Sequence, residues 1–218
     1  MLRVVVQSHC HLSTIASLKA TCMSQQSGKQ VIECFGQPGS GKTTAAQSLV
    51  AADGYVLPPV HFSRFHKICL LLRNPRQVVR WVLFFTRGAC MHRSARLLRY
   101  NIAVFFHTFA SVHWVSLRSG GKYVVEEGLL QRLLSGSDVL LSEVQVERLL
   151  QAVERNEILW IRRTPESNRY TYAHIRTQLG DEYVTNWLHN LVANELVIMN
   201  VCQNNGYTIK QHSGEDGV

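Results

Sequence analysis

The sequence predicts an α/β protein of three layers, with helices on both faces of a mostly parallel central sheet and a long, basic helical insertion. Three observations predict it. Gly36 to Thr43, GQPGSGKT, fits the phosphate-binding pattern GxxxxGK[ST] without a mismatch. Apolar runs of strand length alternate with segments of helical period on either side of that loop. Residues 54 to 125 hold no Asp or Glu but carry 11 of the chain's 23 Lys and Arg. With 46% hydrophobic and 17% charged residues in 218, the chain has the composition of a folded domain with one sizeable core.

Residues 1 to 22 contain no acid, and the apolar run VVVQSHCHLSTIASL is broken by polar residues. A secretory signal needs a continuous apolar core, so this segment reads as a disordered or non-native N-terminal extension. Adjacent His9, Cys10 and His11 seldom converge on one ion, and no second ligand cluster accompanies them. The six cysteines include no CxxC pair, which favours reduced thiols in a cytosolic protein.

QVIECFG at 30 to 36 reads as the first strand, and KTTAAQSLVAA at 42 to 52 as a helix without a breaker. GYVLPP reads as a second short strand stopped by two prolines. Residues 63 to 117 read as helical, with breaks near Asn74-Pro75 and Gly88. Within them Arg76, Arg80 and Arg87 share a basic side, and Val79, Trp81, Val82 and Phe85 form much of the apolar remainder. Tyr100 to Leu117 has no Lys, Arg, Asp or Glu and approaches the length of a membrane span. Its Asn101, His107, Thr108 and His113 argue for a buried helix instead.

KYVVEEG is then a short strand ending in acids, and LLQRLLS a helix. SEVQVERLLQAVERN, at 142 to 156, is a helix with Ser142 as its N-cap. EILWIRR is a strand, and Thr164-Pro165 caps and starts the helix after it. DEYVTNWLHNLVANE gives a late helix, with LVIMNV and YTIKQ as strands around the turn QNNG.

The chemistry follows from the loop. Gly36, Gln37, Pro38, Gly39, Ser40 and Gly41 form a cradle whose backbone N–H groups point at phosphate oxygens, with Lys42, Thr43 and Thr44 opening the helix behind it. Lys42 reaches the β- and γ-phosphates, and the Thr43 hydroxyl coordinates Mg²⁺. Such a site also needs an acid at a neighbouring strand end, where Glu126 and Glu127 stand. In extended backbone the two face opposite sides, so Glu126 is assigned to the metal and Glu127 to the role of base, with the reverse assignment open. Glu33 is a weaker candidate because it precedes the loop.

GQPGSGKTT, with Pro38 and Ser40 inside the loop, resembles the small P-loop kinases of the adenylate and thymidylate kinase type. VVEEGLLQRL resembles the acid-acid-glycine segment of several kinase-like P-loop proteins, including ones acting in bacterial surface-polysaccharide pathways. ILWIRRTPESNRYTYAHIR is similar to the strand and arginine-bearing lid of nucleotide kinases. The resemblance runs in order from about residue 30 to 200. Thymidylate kinases usually show Asp-Arg where Glu126-Glu127 stands, and the basic helical stretch replaces a compact monophosphate site.

The resemblance implies one P-loop kinase-like domain over 23 to 218, with a helical insertion at about 63 to 117 and a lid at about 164 to 178. It implies ATP and Mg²⁺ as cofactors and transfer of the γ-phosphoryl group to a small, anionic acceptor. Arg169 and Arg176, two turns apart in the lid, would neutralise charge on the transferred group. Arg64, Arg73, Arg76 and Arg80 are the expected grip on the acceptor. The rival expectation is a nucleotide-dependent ATPase or switch that meets a membrane surface or a partner protein through the basic helices. No NKxD-like sequence supports a GTPase, and no recognised module supports nucleic-acid binding. The expected location is the cytoplasm, with peripheral contact at a membrane as the variant.

Overall fold

The computed structural model describes residues 28–91, 95–151, 155–162 and 180–213. Four strands and seven helices occur among them, in the order β1 (Lys29–Phe35), α1 (Lys42–Asp53), α2 (Arg64–Arg73), α3 (Pro75–Met91), α4 (Ala95–Ser116), β2 (Gly121–Val125), α5 (Leu129–Ser135), α6 (Glu143–Leu150), β3 (Glu157–Arg162), α7 (Asp181–Asn204) and β4 (Ile209–Ser213). The N-terminal extension and the lid segment expected from the sequence fall outside the described residues.

All four strands are parallel, in the order β2-β1-β3-β4. The expected strand GYVLPP shrinks to one bridge, in which Val56 N donates to Lys122 O and Val124 N donates to Val56 O. Pro58 and Pro59 follow at once, and prolines lack the N–H that would extend the ladder.

Alternation along β1 sends its side chains to two different layers. Ile32 and Cys34 pack with Val124, Ile161, Tyr55 and Ala46 beneath α1. Val31 and Phe35 face the larger core, built from α3 to α7. That core holds an aromatic cluster in which Trp81 and Phe105 stack with centroids 5.6 Å apart and Phe85 leans on both. The helices on both faces of a parallel sheet agree with the α/β expectation.

The helical stretch has a single described break at Asn74, and Gly88 lies inside α3. On α3 the apolar side is real, since Trp81 and Phe85 are buried, but Val79 is exposed. α4 is the buried helix expected in place of a span, and no helix among the described residues is long and apolar enough to cross a membrane. Ser142 caps α6 in a capping box with Gln145. One expected strand is wrong: LVIMNV belongs to α7, which runs unbroken to Asn204. Leu191, Asn194, Glu195, Ile198, Met199 and Cys202 continue one buried helical face, and that packing overrides the strand preference of Val and Ile.

Glu33 lies between Val31 and Phe35 in the core-facing row of β1, and it is 2% exposed. Its Oε1 accepts a hydrogen bond from Leu130 N at 2.8 Å, so a carboxyl group from the sheet caps the first turn of α5. The carboxyl lies where a side chain at Gly128 would be, so only glycine fits there. Burial pushes the Glu33 pKa up to about 7, against the backbone donors of Leu130 and Gln131 and the charge of Arg132. The unfolded carboxyl releases its proton near 4.5, whereas the folded one holds it to about 7. The stability of Glu33→Gln relative to the natural chain should therefore rise by roughly 3 kcal/mol from pH 4.5 to 7 and stay flat above. Urea unfolding at several pH values measures this, and a pH-independent difference would mean an ordinary, ionised carboxylate.

Candidate active site

From β1 the chain crosses first to one side of the sheet, through Val56 and β2, and then to the other, through β3 and β4. The order therefore reverses at β1, and in open parallel sheets ligands bind beyond the strand ends at such a point. Gly36 to Gly41 occupies that position. Glu126 and Glu127 follow β2, whose Val125 lies in register with Glu33 of β1, so the two strand ends sit side by side.

Gly41 precedes α1 with φ 95°, a left-handed conformation that a side chain would resist. α1 has no side-chain cap and no acid in its first turn, so the positive end of its dipole is open to an anion. Lys42 is 7% exposed, and its Nζ donates to Gly36 O at 3.1 Å and Gln37 O at 2.9 Å. The ammonium rests on the carbonyls of its own loop. Burial and the neighbouring Arg132 lower its pKa to about 8, although Glu126 and Glu195 oppose the shift.

The Thr43 hydroxyl donates to Glu126 Oε1. A hydroxyl and a carboxylate on adjoining elements are hard oxygen donors of the kind Mg²⁺ takes beside its own waters and phosphate oxygens. Among the described residues no group of three His, Cys, Asp or Glu forms a closed metal cage. The donors that are present fit a cation shared with a phosphate ligand.

Glu127 turns the other way and pairs with Arg132 of α5. The Arg132 side chain is 8% exposed and that of Glu127 49% exposed, so the pair runs from the interior to an open edge. Arg132 Nε is buried with no hydrogen-bond partner among the described residues. Burial lowers its pKa to about 10, which leaves it charged at neutral pH. Lys42, Glu127 and Arg132 line a common cavity of about 140 Å³ together with Tyr100, Asn101 and Gln131. A cavity of about 150 Å³ holds one benzene ring, so the space takes a single ring or a short polyol.

The loop is fixed from outside by groups with no obvious mark in the sequence. Gly36 N donates to Gln131 Oε1 at 3.3 Å, joining the loop to α5. Gln37 Nε2 donates to Glu195 Oε2 at 2.9 Å, and Trp160 Nε1 donates to Glu195 Oε1 at 2.6 Å, joining it to α7 and β3.

Thr43 and Glu126, assigned together to a metal, are thus in contact, and Glu127 lies within the same cavity wall as Lys42. Arg169 and Arg176 lie outside the described residues. Of the arginines expected to grip an acceptor, Arg73, Arg76 and Arg80 are exposed and none of them lines this cavity. The Arg64 side chain lies outside the described set. The insertion instead supplies Phe85, Tyr100, Asn101 and Val104, and the guanidinium comes from Arg132. Gln131, Arg132 and Ser135 share one side of α5 opposite the leucines, a pattern that reads as a solvent-facing stripe, so the sequence carries no local signal that Arg132 is buried.

A low pKa for Lys42 is directly measurable. Its ¹³Cε resonance should titrate near pH 8, well below the ordinary 10.5 of lysine, and added tripolyphosphate should move that midpoint upward. A midpoint near 10 without the anion would contradict the buried site. The chain matches no protein-family model, and no curated protein matches it.

Proposed function

We propose that this protein is an ATP- and Mg²⁺-dependent phosphotransferase that moves the γ-phosphoryl group to a small acceptor held in the cavity beside Lys42. The observation that carries this reading is the convergence of four groups at the sheet's reversal point: the open N-terminus of α1, Lys42, the Thr43–Glu126 contact and the Glu127–Arg132 pair. In this reading the loop from Gly36 to Thr44 is a P-loop that binds the nucleotide triphosphate.

Thr43 and Glu126 would hold Mg²⁺, directly or through its waters. When bound there, Mg²⁺ would supply positive charge against the phosphates. Lys42 would leave the Gly36 and Gln37 carbonyls for the phosphates, gaining a partner for an ammonium that burial disfavours. Glu127 reaches the open edge of the cavity, where it accepts the acceptor's hydroxyl proton. Arg132 orients that carboxylate and supplies positive charge next to the transferred group. Arg169 and Arg176 are proposed to close over the donor from the lid.

The cavity favours transfer over a pure nucleotide switch. A switch needs no second site beside its phosphates, whereas an acceptor must lie within about 3.5 Å of the reacting phosphorus and in line with the leaving oxygen. Tyr100, Asn101 and Gln131 provide polar groups for a hydroxylated acceptor, and Arg132 provides charge for an anionic one. The proposed compartment is the cytoplasm, where ATP is available.

Two variants separate binding from chemistry. Lys42→Ala should abolish ATP binding in calorimetry, and an unchanged affinity would remove the basis of the proposal. Glu127→Gln should bind ATP as before yet transfer label from [γ-³²P]ATP roughly 100-fold more slowly, the lower end of what a general base contributes. The acceptor is identified by screening nucleosides, nucleotides and acidic sugars with the natural chain. Hydrolysis alone, unaffected by any of them, would favour the switch.

A further inference from the structure

A second, larger hollow lies away from the loop, between α3 and the segment that leads into α6. It measures about 830 Å³, near the upper end for ligand sites, and shares Gly136 with the cavity beside Lys42. Its floor is apolar, formed by Phe84, Leu141 and Leu149. Arg80 and Arg87 stand on the α3 side and Arg148 on the α6 side. Arg76, Arg80, Leu83 and Arg87 are spaced four, three and four residues apart, so they form one stripe along α3.

Arg80 spans the hollow, its Nη1 donating to Arg148 O and Gln151 Oε1, both at 3.2 Å. None of the three arginines joins an ion pair among the described residues. The carboxylate of the lining, Asp138, is 3% exposed and withdrawn from the mouth. Leu83, within the lining, is 59% exposed, and Leu140, between the lining residues Val139 and Leu141, is 63% exposed. Exposed leucines next to arginines, over an apolar floor, match a surface that meets acyl chains and acidic headgroups together.

We propose that this hollow docks the protein on an acidic bilayer, with one anionic phospholipid headgroup held between Arg80, Arg87 and Arg148. Leu83 and Leu140 enter the interfacial region, and the lipid's glycerol and upper acyl carbons lie on Phe84 and Leu149. Charge complementarity selects this occupant, because α3 belongs to the acid-free stretch from 54 to 125. The contact does not depend on the phosphotransferase reading, and a failure of either leaves the other standing.

Sedimentation with vesicles tests it. The full chain should bind vesicles containing phosphatidylserine and not vesicles of phosphatidylcholine alone, and high salt should release it. Arg87→Glu/Arg148→Glu spares Arg80, which ties α3 to α6. Each neutralised arginine costs about fivefold in vesicle affinity, so this double charge reversal should weaken binding by about 25-fold or more, with an unchanged circular dichroism spectrum. Leu83→Ser/Leu140→Ser should weaken it without changing its salt dependence.

Three results would overturn the proposal. One is no binding to acidic vesicles. Another is binding of glycerophosphate that depends on Arg87 and Arg148 while vesicles stay unbound, which would make this a site for a soluble anion. The last is vesicle binding lost in Phe65→Ser/Leu72→Ser and kept in the arginine variant, which would place the contact on the exposed side of α2.

Discussion

The burial of Glu33 against the start of α5 is the constraint on which the rest of the site depends. β1 ends two residues later in the loop, and α5 carries both Gln131 and Arg132. By accepting from Leu130 N, the carboxyl sets the depth of α5 relative to the sheet. Gln131 then reaches Gly36 N, and Arg132 meets Glu127. A buried acid is costly unless it is bonded or protonated, and here it is bonded and its pKa is raised. The geometry next to the glycine-rich loop therefore rests on a group that takes no part in the proposed chemistry.

Seen this way the site has two halves with different supports. The loop half is shaped by local backbone, with a left-handed glycine, the open end of α1 and the lysine folded onto its own carbonyls, and is tied down from outside by Gln131 and Glu195. The half proposed to take an acceptor is held by a long-range contact alone, through Glu33 to α5. Local geometry writes itself into consecutive residues. Long-range contacts do not.

That division explains what was legible in the sequence. The glycine-rich turn between a strand and a helix, the Ser142 cap and the buried α4 each depend on neighbours within a few turns, and each is legible from them. Thr43 and Glu126 were read together because the pattern of loop and strand-end acid names both. Arg132 was missed because its burial depends on α4 and α7 closing over α5. The arginines of the basic stretch are legible as a charge count, yet a charge count does not say which side of α3 faces the loop. LVIMNV looked like a strand because β-branched residues fit strands, but α7 had already placed that face on the core.

Soaking or co-crystallising the chain with a non-hydrolysable ATP analogue and Mg²⁺ tests the central claim most directly. The account predicts that the triphosphate lies along Gly36 to Thr43, and that Lys42 Nζ leaves the carbonyls of Gly36 and Gln37 for the β- and γ-phosphates. The Thr43–Glu126 contact should open to admit the metal or its water, and the γ-phosphate should face the cavity of Glu127 and Arg132. A nucleotide bound elsewhere, or a Lys42 that keeps its carbonyl bonds with the analogue in place, would contradict it.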